Sequence, residues 1–191
     1  TITRPGGGKE GLISDVFYLP QKPYNVLGSL LDQITYPDPP DSTKHGTLTE
    51  EKLRALLRMV ELEYLMDMSA QNTVNWEDKL SLGETQRLAM ARLFWHKPKY
   101  AILDECTAAV SLKMEKRLFI TCRRMGITLI TISHRPALQE YHNRMLVLDG
   151  NGGFSLQGID SAASEETRAL EIAGKTREEA FDVILHELEV K

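Results

Sequence analysis

The sequence predicts an α/β fold in which helices accompany a parallel core sheet. Two apolar segments, KYAILDE at 99–105 and ITLITIS at 127–133, have the length and the aliphatic or β-branched composition of short strands. A helix is predicted between them, and alternation of strands with helices favours a parallel sheet. The almost continuous apolar character of 127–133 predicts a strand that is buried on both faces.

The composition fits one globular domain. The chain has 191 residues, of which 42% are hydrophobic and 26% are charged, so disordered and fibrous classes are excluded. The net charge of −4 gives no electrostatic footprint for nucleic acid, and no nucleic-acid partner is expected. A local basic cluster is expected to be a solvated helix face; it comprises Arg87, Arg92, Lys97 and Lys99.

The cysteine count and the hydropathy bear on the compartment. Cys106 and Cys122 are too few for a disulfide framework and lie in apolar segments, so we expect small buried side chains in a reducing compartment. No apolar run approaches the about 20 residues that cross a bilayer. A membrane-spanning part, if one serves this protein, is therefore expected elsewhere.

The first half of the chain is predicted to contain one strand and two main helices. A Gly/Pro-rich loop at 1–11 precedes a strand at 12–19, which Pro20 closes. Residues 24–36 have helical spacing with Ser29 as an N-cap, and 37–46 is a proline-rich loop. Thr47 and Glu50 predict a capping box for the next helix, and a short helix with a loop follows at 62–74. The apolar stripe of the capped helix is Leu53, Leu56, Leu57 and Val60.

The second half is predicted to carry three helices and a hairpin. Ser81 opens a helix, and Ser111 caps another that ends near Gly126. Segments 145–148 and 154–159 predict a hairpin at the edge of the sheet. From Ser161 the chain is expected to be helical, with Thr176 and Glu179 as a capping box. The inward-facing residues of these helices are Leu88, Ala91 and Phe94, then Leu118, Phe119 and Cys122, then Phe181, Ile184, Leu185 and Leu188. The last four are expected to pack on the domain, and packing on a partner is the alternative.

Paired carboxylates end the strand at 99–105. Asp104 and Glu105 follow buried apolar residues, and ligands of open α/β sheets gather outside the carboxyl ends of strands. At such a position an aspartate can hold Mg²⁺, directly or through water, while the adjacent glutamate orients or deprotonates an attacking water. The alternative interpretation is two charged residues in a surface turn.

Three other positions are consistent with the same phosphate chemistry. Gln21, after the first strand, can present its amide to a metal or to water, although it also suits a turn. Ser81 and Gly83 begin a helix, whose N-terminus favours an anion but is otherwise only capped. His134 follows the strand at 127–133 and can donate to a phosphate and bridge to the attacking water, or be structural.

The segments LSLGETQR, AILDE and SHR, preceded by PQKPY, resemble the nucleotide-binding domain of an ABC transporter. The longer string MARLFWHKPKYAILDECTAAVS resembles the peroxisomal fatty-acyl-CoA transporter subfamily, and the similarity runs from about Phe17 to Asp149. It implies an α/β, ABC-type P-loop NTPase domain, partial, at 1–160. A helical subdomain at about 37–100 would carry the signature motif, and 161–191 would be a C-terminal helical extension.

The resemblance also assigns roles to individual positions. Asp104 resembles the Walker B aspartate, Glu105 the catalytic base and His134 the switch histidine. Gln21 resembles the Q-loop residue, which touches Mg²⁺ and couples to the membrane domain. Two short motifs complete the set: Ser81, Leu82, Gly83 and Glu84, with Leu80, resemble the signature that closes on ATP held by the opposite domain, and 108–111 resembles the D-loop.

The function that the resemblance implies is ATP hydrolysis powering the transport of fatty acyl-CoA or fatty acids across the peroxisomal membrane. The domain would lie on the cytosolic face, with ATP and Mg²⁺ as cofactors. Its partners would be a second nucleotide-binding domain, identical or different, and the transmembrane domain of the transporter. A DNA-repair ATPase with the same signature is disfavoured, because the residues between Gln21 and Ser81 show no sustained heptads.

Three positions depart from the family pattern. Leu82 stands where the signature usually has a glycine, and Ala108 replaces a common D-loop serine. No GxxxxGK[ST] sequence occurs in the chain, so the loop that cradles the β and γ phosphates is not supplied by it and tight ATP binding in cis is not expected. The chain is expected to be either the C-terminal portion of a longer transporter or a degenerate, non-catalytic structural or regulatory subunit.

Overall fold

The computed structural model describes residues 15–42, 44–68, 74–159 and 176–189, with side chains to 187 in the last range. Three 3₁₀ helices lie at Glu63–Met68, Trp76–Asp78 and Pro136–Tyr141. The strands and helices, in chain order, are β1 Val16–Leu19, α1 Leu30–Thr35, α2 Glu50–Met59, α3 Leu82–His96, β2 Tyr100–Asp104, α4 Leu112–Arg124, β3 Thr128–Ile132, β4 Arg144–Leu148, β5 Phe154–Gly158 and α5 Arg177–Glu189. The loop predicted at 1–11 lies outside the described residues.

A three-stranded parallel sheet forms the centre, in the order β1-β2-β3. Leu19 pairs with Leu103, and Asp104 pairs with Ile132. The predicted parallel sheet is therefore confirmed, and β2 is its middle strand. Because all three strands run the same way, the loops that follow them leave from one edge of the sheet.

The prediction that 127–133 is buried on both faces is wrong. Along β3 the side chains alternate, with Ile130 50% and Ile132 54% exposed, whereas Leu129 packs against the core. Its neighbour across the strand pair, Ala101, is fully buried. In the part of the chain that the structure describes, the core covers one face of this sheet, and a strand that is apolar on both faces shows half of its side chains to solvent.

The second long helix begins two residues later than its predicted cap. Thr49, rather than Thr47, is the N-cap of α2 and accepts a hydrogen bond from the backbone N–H of Lys52. Leu48 before the cap and Leu53 at the fourth helical position are both buried, the positions of a hydrophobic staple, which favours a start at Thr49. The predicted apolar stripe of this helix is confirmed, since all four of its residues are buried.

The other helices of the first half are shorter than predicted. The predicted N-cap Ser29 is correct and forms a capping box with Asp32, but α1 covers only Leu30–Thr35. In the predicted helix-and-loop segment at 62–74, a 3₁₀ helix covers Glu63–Met68 and residues 69–73 lie outside the described ranges.

Helix α3 lies in the centre of the core. Leu88, Ala91 and Phe94 are fully buried as predicted, but after the first turn almost every face of this helix is covered. The expected solvated basic face is wrong for two of its four residues, because Arg92 is 4% and Lys97 is 6% exposed, whereas Lys99 is exposed. The burial is compatible with charge because each cation finds partners close to it.

Arg92 donates from Nε to the carbonyl of Gln33, at 2.6 Å, and from Nη1 to that of Tyr24, at 3.0 Å. Its guanidinium also lies 5.3 Å from the centre of the Tyr36 ring. Burial lowers the pKa of Arg92 to about 10, so the side chain remains charged at neutral pH. These contacts hold α1 and the residues that flank it against α3.

The C-terminal helix packs on the domain, as predicted. Phe181, Ile184 and Leu185 of α5 are buried, whereas the side chain of Leu188 and residues 160–175 lie outside the described part. Thr176 and Glu179 form the predicted capping box. The ammonium of Lys97 lies 4.7 Å from the Phe181 ring centre and joins this helix to the end of α3.

Helix α4 agrees with its prediction in detail. Its N-cap is Ser111, whose hydroxyl accepts from the N–H of Met114, and Gly126 follows its end at a φ of 67°. The predicted inward face, Leu118, Phe119 and Cys122, is fully buried. Both cysteines are buried and free, and burial raises the pKa of the Cys106 thiol to about 12.

The hairpin is not an edge of the core sheet, so that part of its prediction is wrong. Within the described ranges of the chain, strands β4 and β5 pair with each other and with no other strand, and they form a separate two-stranded antiparallel sheet. The 3₁₀ helix Pro136–Tyr141 separates β3 from β4, and both hairpin strands are largely exposed. Among the described residues, no helix is long and apolar enough to span a membrane.

Candidate functional site at the carboxyl edge of the parallel sheet

The predicted site residues that follow strands lie at one edge of the sheet. Gln21 follows β1, Asp104 and Glu105 end β2, and His134 follows β3. The parallel register makes these three loops neighbours. The sheet therefore collects side chains that lie more than a hundred positions apart in the sequence.

Asp104 is oriented by a tyrosine from the neighbouring strand. The Tyr18 hydroxyl donates to Oδ2 of Asp104 at 2.9 Å, and this hydrogen bond raises the pKa of Tyr18. In the described part of the chain, no hydrogen bond reaches the other carboxylate oxygen, Oδ1. A carboxylate oxygen of Asp104 and the amide oxygen of Gln21, whose residue follows the neighbouring strand β1, are the hard oxygen donors that Mg²⁺ prefers, so these residue types fit that cation. The sequence did not single out Tyr18, whose relevance depends on strand register.

Glu105 has an unusual backbone conformation. Its φ is 50°, in the left-handed region that costs a non-glycine residue about 1 kcal/mol or more. Two backbone hydrogen bonds hold it there: its N–H donates to the carbonyl of Ile132 at 3.0 Å, and its own carbonyl accepts from Ala108 at 3.1 Å. The chain therefore turns sharply at Glu105 and aims its side chain across the ends of the strands.

Glu105 and His134 are brought together. The backbone N–H of His134 donates to Oε1 of Glu105 at 2.9 Å, and the imidazole Nε2 lies 3.9 Å from the same oxygen. The His134 side chain is fully exposed, whereas that of Glu105 is only 20% exposed. The carboxylate is thus fixed through one oxygen, while the imidazole is free to meet a ligand at the edge.

A buried glutamine that sequence reasoning missed links two loops of the site. Gln86 is completely buried. Its Nε2 donates to the backbone carbonyl of Gln21 at 2.9 Å, and its Oε1 accepts from the N–H of Ala109 at 2.9 Å. The Gln21 side chain itself is exposed at the edge. A polar residue among the buried positions of α3 was the only signal available, and it was hidden because the apolar pattern of this helix has no clear polar face.

The predicted anion site at the start of α3 is occupied by its own cap. The Ser81 hydroxyl donates to Oε2 of Glu84 at 2.6 Å and accepts from the Glu84 N–H at 3.4 Å, which completes a capping box. Hydrogen bonds from Ser81 and then from Tyr64 lower the pKa of Glu84. Leu82 is 48% exposed. This helix start faces solvent with its hydroxyl already satisfied.

Gly83 lies against the segment that follows β2. A Cβ at this position would stand 2.7 Å from the backbone oxygen of Ala109, so only glycine permits this approach. Among the described side chains, no hydrogen bond or ion pair joins residues 81–84 directly to Asp104, Glu105 or His134. The connection between the two groups runs through Gln86 and Ala109.

A second buried network holds the segment after Glu105. Glu115 is 2% exposed and accepts from the Thr107 hydroxyl at 2.6 Å and from Nη1 of Arg135 at 2.9 Å. Arg135 also donates from Nη2 to the carbonyl of Ala108 at 2.8 Å. The residue next to His134 is therefore tied to the segment next to Glu105, which fixes the two loops relative to each other.

Comparison with known proteins defines the class of this domain. A family model described as "ABC transporter" matches residues 14–108. A bacterial Atm1-family ABC exporter, solved with ATP bound, superposes with a TM-score of 0.63 at 21% identity, covering 92% of this chain and 30% of the exporter chain. That likeness shows the fold, and it confirms the α/β, ABC-type class that the sequence predicted.

Curated relatives give the subfamily. "ABC transporter D family member 1" of Arabidopsis thaliana is 52% identical over 156 residues, which is 81% of this chain and 12% of that protein. "ATP-binding cassette sub-family D member 1" of Drosophila melanogaster is 46% identical over 81% of this chain, and sub-family D member 3 of Homo sapiens is 42% identical over 83%. The chain belongs to the ABC transporter family, in its D family. It spans between 12% and 23% of the length of these relatives.

Proposed function

We propose that this chain forms part of the ATP-hydrolysing domain of a D-family ABC transporter, and that Glu105 is its general base. The observation that carries the proposal is the geometry of Glu105, which is held at a φ of 50° with Oε1 bonded to the His134 N–H. A strained, doubly anchored carboxylate at the end of a central strand is typical of a functional site. The structure matches an ABC exporter in fold.

The proposed mechanism divides the work among three loops at the sheet edge. Asp104, oriented by Tyr18, and Gln21 would hold Mg²⁺, which when bound neutralises charge on the phosphates. Oε1 of Glu105 is engaged by His134, so Oε2 is the oxygen that accepts a proton from the attacking water. The exposed imidazole of His134 donates to the phosphate that is transferred. The GxxxxGK[ST] loop that would cradle the phosphates is not in this sequence.

The signature residues are proposed to serve a second nucleotide. Ser81, Leu82, Gly83 and Glu84 lie at a solvent-facing helix N-terminus, which is suited to the phosphates of ATP bound by an opposite nucleotide-binding domain. For the Ser81 hydroxyl to donate to a phosphate, it must leave Glu84, its present acceptor at 2.6 Å. Hydrolysis would then require two domains face to face, identical or different.

The transmembrane domain of the transporter is the other proposed partner. Gln86 connects the Gln21 loop to α3 and to the segment after β2, so a force on that loop would reach the signature end of the helix. Residues at about 37–100 would act as the helical subdomain and 161–191 as an added helical extension. The transported substrate is proposed to be fatty acyl-CoA or a fatty acid, with the domain on the cytosolic face of the peroxisomal membrane; the D-family relationship and the quoted motifs support this.

The test is Glu105→Gln in the full-length protein. Glu77→Gln is the control, because Glu77 is exposed and lies in the 3₁₀ helix Trp76–Asp78, outside the loops that follow the strands. Loss of the general base should lower ATP hydrolysis by about 100-fold or more while ATP stays bound and stabilises the dimer. Hydrolysis and nucleotide trapping are measured together. Unchanged turnover would remove Glu105 from the mechanism. If neither the unmodified protein nor the variant hydrolyses ATP, the competing function, a non-catalytic structural or regulatory subunit, is favoured.

A further inference from the structure

Three metal-ligating side chains converge away from the sheet edge. Asp38 and His45 belong to the proline-rich segment 37–46, and His96 is the last residue of α3. Oδ2 of Asp38 lies 3.3 Å from Nε2 of His45 and 3.8 Å from Nδ1 of His96, and the two nitrogens lie 3.3 Å apart. All three ligand atoms therefore lie close enough together to hold one ion. This group takes no part in the proposed ATP chemistry.

The three converging side chains offer more electron-pair donors than protons. Nε2 of His96 lies 2.9 Å from the carbonyl of Tyr36, an acceptor, so Nε2 carries the proton and Nδ1 presents its lone pair to the cluster. His45 Nε2 carries at most one proton and cannot donate to both His96 and Asp38. Oδ2 of Asp38 is buried and makes no hydrogen bond in the described part of the chain. The three atoms thus share at most one proton of their own, and the ammonium of Lys44 lies 3.4 Å from Oδ2 of Asp38.

The spacing of the three atoms matches a tetrahedral metal. Zn²⁺ binds nitrogen and carboxylate oxygen at about 2.0–2.1 Å, which places ligand atoms about 3.3–3.4 Å apart. Two of the three separations are 3.3 Å, and only the third, at 3.8 Å, needs to contract. The hydrogen bond from His96 to the Tyr36 carbonyl is the outer contact that usually orients a zinc-binding imidazole.

The surroundings suit a metal site that is built from neutral imidazoles. The side chains of His96, His45 and Asp38 are 6%, 17% and 22% exposed. Burial is the main cause of a lowered pKa at both imidazoles, to about 4 at His96, so both are neutral and able to ligate. His96 also stacks on Phe17 with ring centres 5.2 Å apart, which fixes its orientation from β1.

A lysine competes with the metal in the present conformation. Nζ of Lys44 lies 3.4 Å from the same Oδ2 of Asp38. The Lys44 side chain is 48% exposed, so it can swing into solvent when a divalent cation takes its place. Its ammonium supplies the positive charge that the cluster otherwise lacks.

We propose that Asp38, His45 and His96 form a zinc site, with water as the fourth ligand. The bound ion would tie the 37–46 segment to the end of α3, the helix that begins with the signature residues. The role of the ion is structural. It would hold the 37–46 segment, which leads into the helical region, against α3, the helix that leads from this region to β2. The proposal does not depend on ATP hydrolysis.

The experiment is titration of the chelator-treated whole chain with Zn²⁺ alone, followed by Co²⁺ as a spectroscopic substitute. We expect one equivalent of Zn²⁺ to bind and raise the melting temperature, and Co²⁺ to give the intense visible bands of tetrahedral coordination. His45→Ala and Asp38→Asn should each weaken zinc binding by about 100-fold or more. Both residues lie in a surface segment, so these variants remain testable even if substitution of buried His96 prevents folding.

Matched controls come from the same chain. Asp41→Asn changes an exposed carboxylate in the same segment, and His186→Ala removes an exposed imidazole on α5; both should bind zinc as the unmodified chain does. Lys44→Ala should tighten binding, because it removes the competing ammonium. The proposal is overturned if Zn²⁺ fails to bind in stoichiometric amount, if His45→Ala and Asp38→Asn bind it unchanged, or if Co²⁺ gives only the weak bands of octahedral coordination.

Discussion

Gln86→Met tests the bridge between the two halves of the site. Methionine keeps the length and approximate volume of glutamine but cannot hydrogen bond to the backbone groups that Gln86 satisfies, the carbonyl of Gln21 and the N–H of Ala109. Leaving a buried polar group unsatisfied costs about 1–3 kcal/mol. The Gln21 carbonyl lies at an exposed residue and is partly rescued by water, so we expect a total loss of about 2–4 kcal/mol in the free energy of unfolding.

Two measurements distinguish this loss from a general packing defect. Urea unfolding gives the change in stability, and amide hydrogen exchange reports on Ala109, whose N–H should exchange much faster in the variant while the amides of β2 keep their protection. Gln139→Met is the control, since Gln139 is exposed in a 3₁₀ helix and should change stability by less than about 0.5 kcal/mol. A Gln86→Met chain with unaltered stability and unaltered Ala109 exchange would refute the bridge.

Two further outcomes follow from the structure. Gly83→Ala should destabilise the chain by about 1–3 kcal/mol, because the new Cβ would stand 2.7 Å from the Ala109 oxygen; Gly158→Ala, where nothing lies within 4 Å, should be neutral in the same melting assay. Burial lowers the pKa of His142, whose neutral ring contacts the Leu138 carbonyl and the Thr131 hydroxyl. Acid therefore favours the unfolded chain, so stability should fall as the pH drops below about 6.5; a His142→Gln chain that keeps the same slope would contradict this assignment.

Much of the fold was predictable because it depends on local pattern. Apolar spacing predicts the strands at 99–105 and 127–133 and the buried faces of α2 and α4. Hydroxyl side chains at helix starts predict the caps at Ser29 and Ser111. The prediction that Thr47 caps α2 was wrong, because two threonines precede this helix and the burial of Leu48 favours Thr49 as the cap. The prediction that the hairpin lies at the edge of the core sheet was wrong, because a sequence pattern indicates that a strand forms but not which strand is its neighbour.

What the sequence by itself determined is which residues end the strands. Asp104, Glu105 and His134 had to meet once the strands were parallel, because parallel strands end at one edge. Only the tertiary structure decided the environment of those residues and of the charges around them. Gln86 became a bridge and Arg92 a buried cation because distant backbone carbonyls face them. Such partners are set by how the helices pack, and packing depends on contacts between segments that no local pattern contains.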